Sequence, residues 1–266
     1  IAYIIMNCYK EGFSPITEAP SCDGVSFFSK FSEMLLTAGV ISCIISVLTQ
    51  CQNDWRHKEI KMPKGSVELT EARREEIVDA CEQLYQTMPF REITIKHIGS
   101  VISVTRTSIY NYFQTKEEIF LALLRREYLR WGDSLCVLLA ENRGMTREQF
   151  ADALARTLEE RPNLLKLLSM NLYEIEEDSR LEHLTVFKQA YARSFGLVEQ
   201  CVAVFFPDMS EERRQRFTEL FFPMIYGIYP YTHATEKQAQ AMEQAGFVNR
   251  QLPVYELAYR AIVKLL

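Results

Sequence analysis

Residues 94–120 read TIKHIGSVISVTRTSIYNYFQTKEEIF, and their spacing decides the fold. Thr94 precedes Ile95, Ile98 and Ile102, apolar residues at helical spacing, and can cap a short helix that turns this face inward. The pattern breaks at Ser103-Val104. Thr105 then caps a second helix on which Ile109 and Phe113 face back to the core. Arg106, Thr107, Ser108, Tyr110 and Asn111 point outward. Two short helices of this kind form a helix-turn-helix, in which one lies in the major groove of DNA and the other braces it.

Upstream, Ile77, Val78, Cys81, Leu84 and Tyr85 repeat at helical spacing, with Thr70 as the expected cap and Met88-Pro89 as the stop. Downstream, Lys116-Glu117-Glu118 opens a long helix that ends near Glu141. Thr146 and Gln149 have the spacing of a capping box, for a helix ending near Arg161-Pro162. A broken apolar segment runs from Leu164 to Tyr173. Residues 180–206 read as a long helix halted by Pro207-Asp208. Ser210 caps the next, which should kink at Pro223 and stop at Tyr229-Pro230. A last helix runs from about Pro253 to Leu266. The expected architecture is all-α: a three-helix DNA-binding domain over 62–115, then a helical regulatory and dimerisation domain over 116–266 with about six helices.

Composition agrees. The 266 residues are 48% hydrophobic and 24% charged, with only 10 Gly and 9 Pro, which suits a helical globular protein. The net charge of -5 excludes indiscriminate attraction to nucleic acid. It is unevenly spread: residues 62–130 hold 10 basic and 10 acidic side chains, residues 131–266 hold 15 and 19. A DNA reader needs only a local basic face. The seven cysteines, at 8, 22, 43, 51, 81, 136 and 201, have no CxxC spacing. That excludes a disulfide framework or zinc site and suggests reduced thiols in a cytoplasm. A redox-sensing thiol is the alternative.

Residues 1–61 do not share this pattern. Their apolar run Met34–Leu48 spans 15 residues, short of the roughly 18 needed to cross a bilayer, and sits too far in for a secretory signal. We read 1–61 as an atypical upstream extension, with Met62 a plausible natural start. A membrane-associated anchor is the competing reading.

Phe90, Thr94-Ile95, Ile98, Val104-Thr105-Arg106, Ile109-Tyr110, Tyr112-Phe113 and Lys116-Glu117, in this order and spacing, resemble the N-terminal signature of the TetR family of transcriptional regulators. The segment FPMIYGIYPYTHATEKQ, from Phe222, resembles one subset of that family. Two positions depart from the pattern. Ile102-Ser103-Val104 stands where Ala-Gly-Val is usual, so Ser103 must accept a left-handed backbone or reshape the turn. Thr107 stands where Gly is common.

Side-chain chemistry suggests the contacts. Arg106 suits paired hydrogen bonds to guanine O6 and N7. Thr107, Ser108 and Asn111 suit base edges, and Tyr110 a thymine methyl or sugar. Thr94, Tyr112 and Lys116 are better placed for phosphates, with Thr105 at the helix start.

Two apolar stripes, with Phe217, Leu220, Phe221 and Met224 on one helix and Tyr255, Tyr259 and Val263 on the last, are broader than one small core requires. The resemblance implies that these helices form a four-helix dimer interface, and a two-fold dimer matches a palindromic operator. The resemblance also suggests a body pocket for a small, mainly apolar effector. Phe150, Met170, Tyr173, Phe187, Tyr191, Phe195, Tyr226 and Tyr229 are its candidate lining, with Tyr231, His183 and His233 nearby. Core filling is the competing reading for each. No phosphate loop, nucleophile elbow or metal-ligand cluster is present, so neither catalysis nor a cofactor is expected. The chain thus reads as a homodimeric, ligand-released repressor. An all-helical enzyme or an adaptor without DNA binding is the rival class.

Overall fold

The computed structural model describes residues 64–170, 172–247 and 251–266; the 1–61 extension and the expected start at Met62 lie outside them. Eleven helices and no strand occur among the described residues. None of those helices is long and apolar enough to cross a membrane.

The head is built from α1 (Lys64–Thr87), α2 (Ile95–Val101) and α3 (Arg106–Ile109). Ile77, Val78, Cys81 and Tyr85 are buried along α1, as their spacing predicts. Thr70, expected as its cap, instead lies inside the helix. Nothing after Gly65 interrupts helix-forming sequence, so the helix begins earlier.

The body starts with α4 (Lys116–Glu141). Thr115 caps it, accepting from the Glu118 amide at 3.2 Å. Ile119, Phe120, Leu123, Leu124, Tyr128, Trp131 and Leu135 are buried, so α4 is covered on several sides. Next come α5 (Arg147–Glu159), α6 (Pro162–Leu168), α7 (Leu172–Glu177), α8 (Leu181–Phe205), α9 (Glu211–Thr232), α10 (Glu236–Gln244) and α11 (Val254–Leu265). Thr146 and Gln149 form the expected capping box. Ser210 caps α9 through the Arg213 amide. Helix α9 does not stop at Tyr229-Pro230 but continues to Thr232 with Pro223 and Pro230 inside it. The Thr232 hydroxyl donates to the Ile228 carbonyl at 2.9 Å, supplying a local bond near the second proline. Helix α10 was not foreseen. None of its residues is buried, so it leaves no apolar stripe, but Thr235 and Gln238 form a second capping box.

Helices α4 and α8 pack in parallel. Tyr128 carbonyl accepts from Ser194 Oγ at 2.9 Å, Asp133 pairs with Arg193 at 2.9 Å, and Gly132 faces Leu197. Between them and α9 lies an aromatic core. Trp131 stacks on Phe221 at 6.2 Å and donates through Nε1 to Thr157 Oγ1 at 3.0 Å.

Head and body are joined by the α1 carboxylates Glu75, Asp79 and Glu82, which pair with Arg126 and Arg130 on α4, and by two further clamps. Lys166 Nζ on α6 donates to the Tyr85 carbonyl at 2.6 Å, and the Tyr85 hydroxyl donates back to the Lys166 carbonyl at 3.3 Å. At the second clamp the fully buried Glu118 carboxylate pairs with Arg180 Nε at 2.6 Å. It also accepts from the Gln114 amide at 2.6 Å and the Arg180 amide at 3.2 Å. Burial pushes this carboxyl up, but the Arg180 and backbone hydrogen bonds outweigh it and hold it below the ordinary value. His183 stays nearby with its imidazole pushed down by burial and by Arg180 and Arg74.

Glu118→Ala is expected to destabilise the protein by about 1–3 kcal/mol, because buried donors lose their acceptor. A carboxyl held low stabilises the fold fully above its unfolded value and loses that contribution as pH falls through its folded value. The advantage of wild type over Glu118→Gln in chemical denaturation should therefore be constant near neutrality. It should shrink below about pH 4.3, the ordinary Glu range.

Candidate nucleic-acid interface

The turn between α2 and α3 is fixed by backbone constraints. Thr94 caps α2, its hydroxyl accepting from the His97 amide at 3.2 Å. Thr105 caps α3 through the Ser108 amide at 3.2 Å. Ser103 takes φ = 53°, the left-handed conformation its place in the turn demands. Val104 donates its amide to the Gly99 carbonyl at 3.0 Å, and a Cβ on Gly99 would stand 2.6 Å from the Val104 carbonyl oxygen. Gly99 therefore sets how closely the turn packs on α2, a role the sequence reading missed. Its place four residues before the left-handed Ser103 was the available signal.

Beyond the four residues of α3, helical hydrogen bonding continues. Tyr110 donates to Arg106 and Phe113 to Ile109, at 3.2 and 3.0 Å. Ile109 and Phe113 are buried. Thr94, Thr105, Arg106, Thr107, Tyr110 and Asn111 are exposed, while Ser108, Tyr112 and Lys116 are half-buried. From Thr94 to Lys116 the chain carries Lys96, Arg106 and Lys116 and no acidic residue. Such a surface favours phosphate in an otherwise acidic protein.

Two of the cations are engaged within the head. Arg106 Nε donates to the Tyr110 hydroxyl at 2.8 Å, with its guanidinium 5.2 Å from the ring centre. Lys116 Nζ donates to the Phe90 carbonyl at 3.1 Å and lies 4.1 Å from the Phe90 ring centre. The Tyr112 carbonyl accepts from Arg180 at 3.3 Å, tying the end of the reading segment to the second clamp. Lys96 and His97, exposed on the first turn of α2, flank the same face and were overlooked.

The family model described as "Bacterial regulatory proteins, tetR family" matches residues 77–123. That described as "Tetracyclin repressor-like, C-terminal domain" matches residues 125–265. The chain belongs to the TetR family. Both the head and the body of this TetR-family protein are thus matched by models of that family. Over 66 residues it is 29% identical to the HTH-type transcriptional repressor Rv1474c of Mycobacterium tuberculosis. That match covers 25% of this chain and 35% of the relative. Similar solved structures include the fatty acid degradation regulator FadR from Bacillus halodurans, with a TM-score of 0.47 and 14% identity over 72% of this chain and 93% of that one. A TetR-family regulator from Marinobacter aquaeolei gives 0.47 and 17% over 72% and 97%.

The residues expected around a ligand separate into three groups. Phe150 and Phe187 are buried; Phe150 packs against Phe205, Phe206 and Phe217. Met170, Tyr191, Phe195, Tyr226 and Tyr229 are half-buried, with Phe195 stacked on Phe222 at 4.8 Å and Tyr191 edge-on to it at 5.4 Å. Tyr173, at 80% exposure, and Tyr231, at 73%, belong to the surface. On α7 it is Ile175 that is buried, and a residue two positions away points to the opposite side. His233 stacks on Tyr229 at 4.2 Å. A residue not foreseen joins the group. The Tyr128 hydroxyl is pushed well above its ordinary value by burial and by the neighbouring Tyr226 and Tyr191. Three phenols from α4, α8 and α9 therefore converge. Glu176, near them, pairs with Lys188 at 2.7 Å.

The interface residues also divide. Phe217 and Phe221 are buried in the protomer, stacked on each other at 5.5 Å, and have no surface to offer a second copy. One turn apart, Phe217 lies against Phe150 and Phe221 against Trp131, and the body core claims them. Leu220 is 51% exposed; Met224, Tyr255, Tyr259 and Val263 are half-buried. The Tyr255 hydroxyl donates to Asp152 on α5 at 2.6 Å.

Gly99→Ala is expected to destabilise the head by about 1–3 kcal/mol, since the added methyl meets a backbone oxygen rather than a yielding side chain. Ser103→Gly should stabilise by up to about 1 kcal/mol. Relief of a left-handed residue, about 1–2 kcal/mol, exceeds the entropy cost of glycine, about 0.5–1 kcal/mol. Thermal unfolding of the two variants, moving in opposite directions, checks both.

Proposed function

We propose that this regulator binds a palindromic operator as a homodimer, represses transcription by occupying it, and releases it when a small, mainly apolar molecule enters the body. The observation that carries the reading is the exposed, acid-free face from Thr94 to Lys116, on a helix-turn-helix whose turn Gly99 and Ser103 fix. Repression follows most simply, because blocking a promoter needs only occupancy. A gel shift with DNA from upstream of its own gene tests the reading; failure to shift any such fragment would overturn it.

Arg106 is the main base reader on this proposal, and Tyr110 is the group that holds it extended along the helix. Arg106→Ala should cost about 1–3 kcal/mol of operator affinity and relax preference at one base pair. Tyr110→Phe should cost less, about 0.5–1.5 kcal/mol. Lys116→Ala should weaken binding to all sequences alike, because Lys116 braces the loop carrying Phe90. Titration of labelled operator and a one-base-changed control measures all three; equal losses on both DNAs for Arg106→Ala would remove it from base reading.

For the dimer, the surviving apolar surface is Leu220 with Met224, Tyr259 and Val263. Leu220→Asp should yield a monomer that stays helical and binds operator weakly, since an unpaired charge is costly in an apolar contact. Phe221→Asp should instead lose the protomer fold. Light scattering with circular dichroism distinguishes the two; a dimeric Leu220→Asp protein would move the interface elsewhere.

For the effector, the converging phenols of Tyr128, Tyr191 and Tyr226 supply orienting hydroxyls beside the rings of Phe187, Phe195 and Phe222, a setting suited to an apolar ligand with one polar end. Tyr191→Phe and Tyr226→Phe should leave folding and operator binding intact. They should weaken induction by about 0.5–1.5 kcal/mol each. Operator release titrated with inducer is the measurement, and wild-type curves from both variants would exclude these hydroxyls.

A further inference from the structure

We propose that Cys136 and Cys201 form a dithiol that hydrogen peroxide closes into a disulfide between α4 and α8, and that closure lowers operator affinity. Both thiols are reduced in this structure. The parallel register places them together. Where a Cβ on Gly132 would stand, Leu197 Cδ1 is 3.4 Å away and Ser194 Oγ 3.4 Å. One helical turn further along each helix brings Cys136 beside Cys201. The space a side chain would fill at Gly132 is taken by Arg193, whose Nη1 would stand 3.0 Å from a Cβ there, and a disulfide across this seam needs a Cα separation of roughly 4.4–6.8 Å. An Arg193 Nη donates to Cys136 Sγ at 3.9 Å, so Cys136 faces α8. Burial pushes the Cys201 thiol up to about 12, and the neighbouring Cys136 adds to this.

The division of labour follows from exposure. Cys136 is half-buried and has a cationic donor on its sulfur, the setting in which thiols react; Cys201 is buried. The Cys136 sulfur attacks one peroxide oxygen and the O–O bond breaks, leaving a sulfenic acid and one water. The Cys201 sulfur then attacks the sulfenic sulfur, the S–O bond breaks, and the hydroxyl leaves with the Cys201 proton as a second water. Two thiols lose two electrons and two protons; the peroxide gains them. Closure draws α8 against α4, whose first turn carries the Glu118 clamp and the head.

The test uses the full chain, reduced and then treated with hydrogen peroxide, with remaining thiols alkylated and peptides mapped by mass spectrometry. A Cys136–Cys201 cross-link, reversed by dithiothreitol and absent in Cys136→Ser, is expected. In Cys201→Ser, Cys136 should be trapped as a sulfenic acid by dimedone. Complete alkylation of both residues after peroxide, or a cross-link from either to another of the seven cysteines, would overturn the pair. The regulatory half rests on the operator-binding reading. Oxidised wild type should bind operator at least about tenfold more weakly than reduced, while Cys136→Ser is unaffected. A mapped disulfide with unchanged affinity removes the regulatory half. Reduced protein that binds no operator instead counts against the operator reading and leaves the mapping to decide the disulfide.

Discussion

The buried carboxylate of Glu118 is the constraint on which the rest of the arrangement depends. A carboxylate without solvent is tolerable only when its lone pairs are filled. Here the partners come from separate parts of the chain: Gln114 from the end of the reading segment, and Arg180 from the start of α8. Helix α8 has no side-chain cap of its own at Arg180; the carboxylate from α4 serves that amide instead. Satisfying one charge therefore fixes the head against α4 and α4 against α8. The parallel packing that follows brings Tyr128 to Tyr191 and Gly132 to Leu197.

Much of the head was legible in sequence because its signals are local. Thr94 and Thr105 are caps whose hydroxyls bond amides three residues on, and Ile109 and Phe113 are a helical pair; both rules act within one turn. The strain at Ser103 was also visible, as a residue lacking the usual glycine where the turn needs a left-handed backbone. Gly99 is harder to read, because its place four residues before Ser103 gains its meaning only from a contact with the Val104 carbonyl in the folded turn. Thr70 failed as a cap since a capping residue is informative only where the preceding sequence cannot be helical.

The body was legible in outline and not in its faces. Periodicity marks an apolar stripe but cannot tell protomer core from contact with a second chain, so Phe217 and Phe221 were assigned outward although Trp131 and Phe150 claim them. Tyr173 was misjudged for the converse reason: a tyrosine ring satisfies itself in water or in a core, and six residues of α7 carry too little pattern to decide. Tyr128 was passed over because one more aromatic on a long apolar helix carries no mark of convergence with phenols from α8 and α9. Helix α10 shows the complementary limit, since an unburied helix declares itself only through its cap.

The contacts between head and body have a geometric consequence. Tyr85 meets Lys166, Glu82 meets Arg126, Arg130 and Asn163, and the Gln114 amide meets Glu118. Each further point of attachment removes a way in which a rigid object can turn by itself. A tilt of α4 or α6 therefore carries the head with it as one piece, which is the kind of rigid-body motion that packed interfaces support.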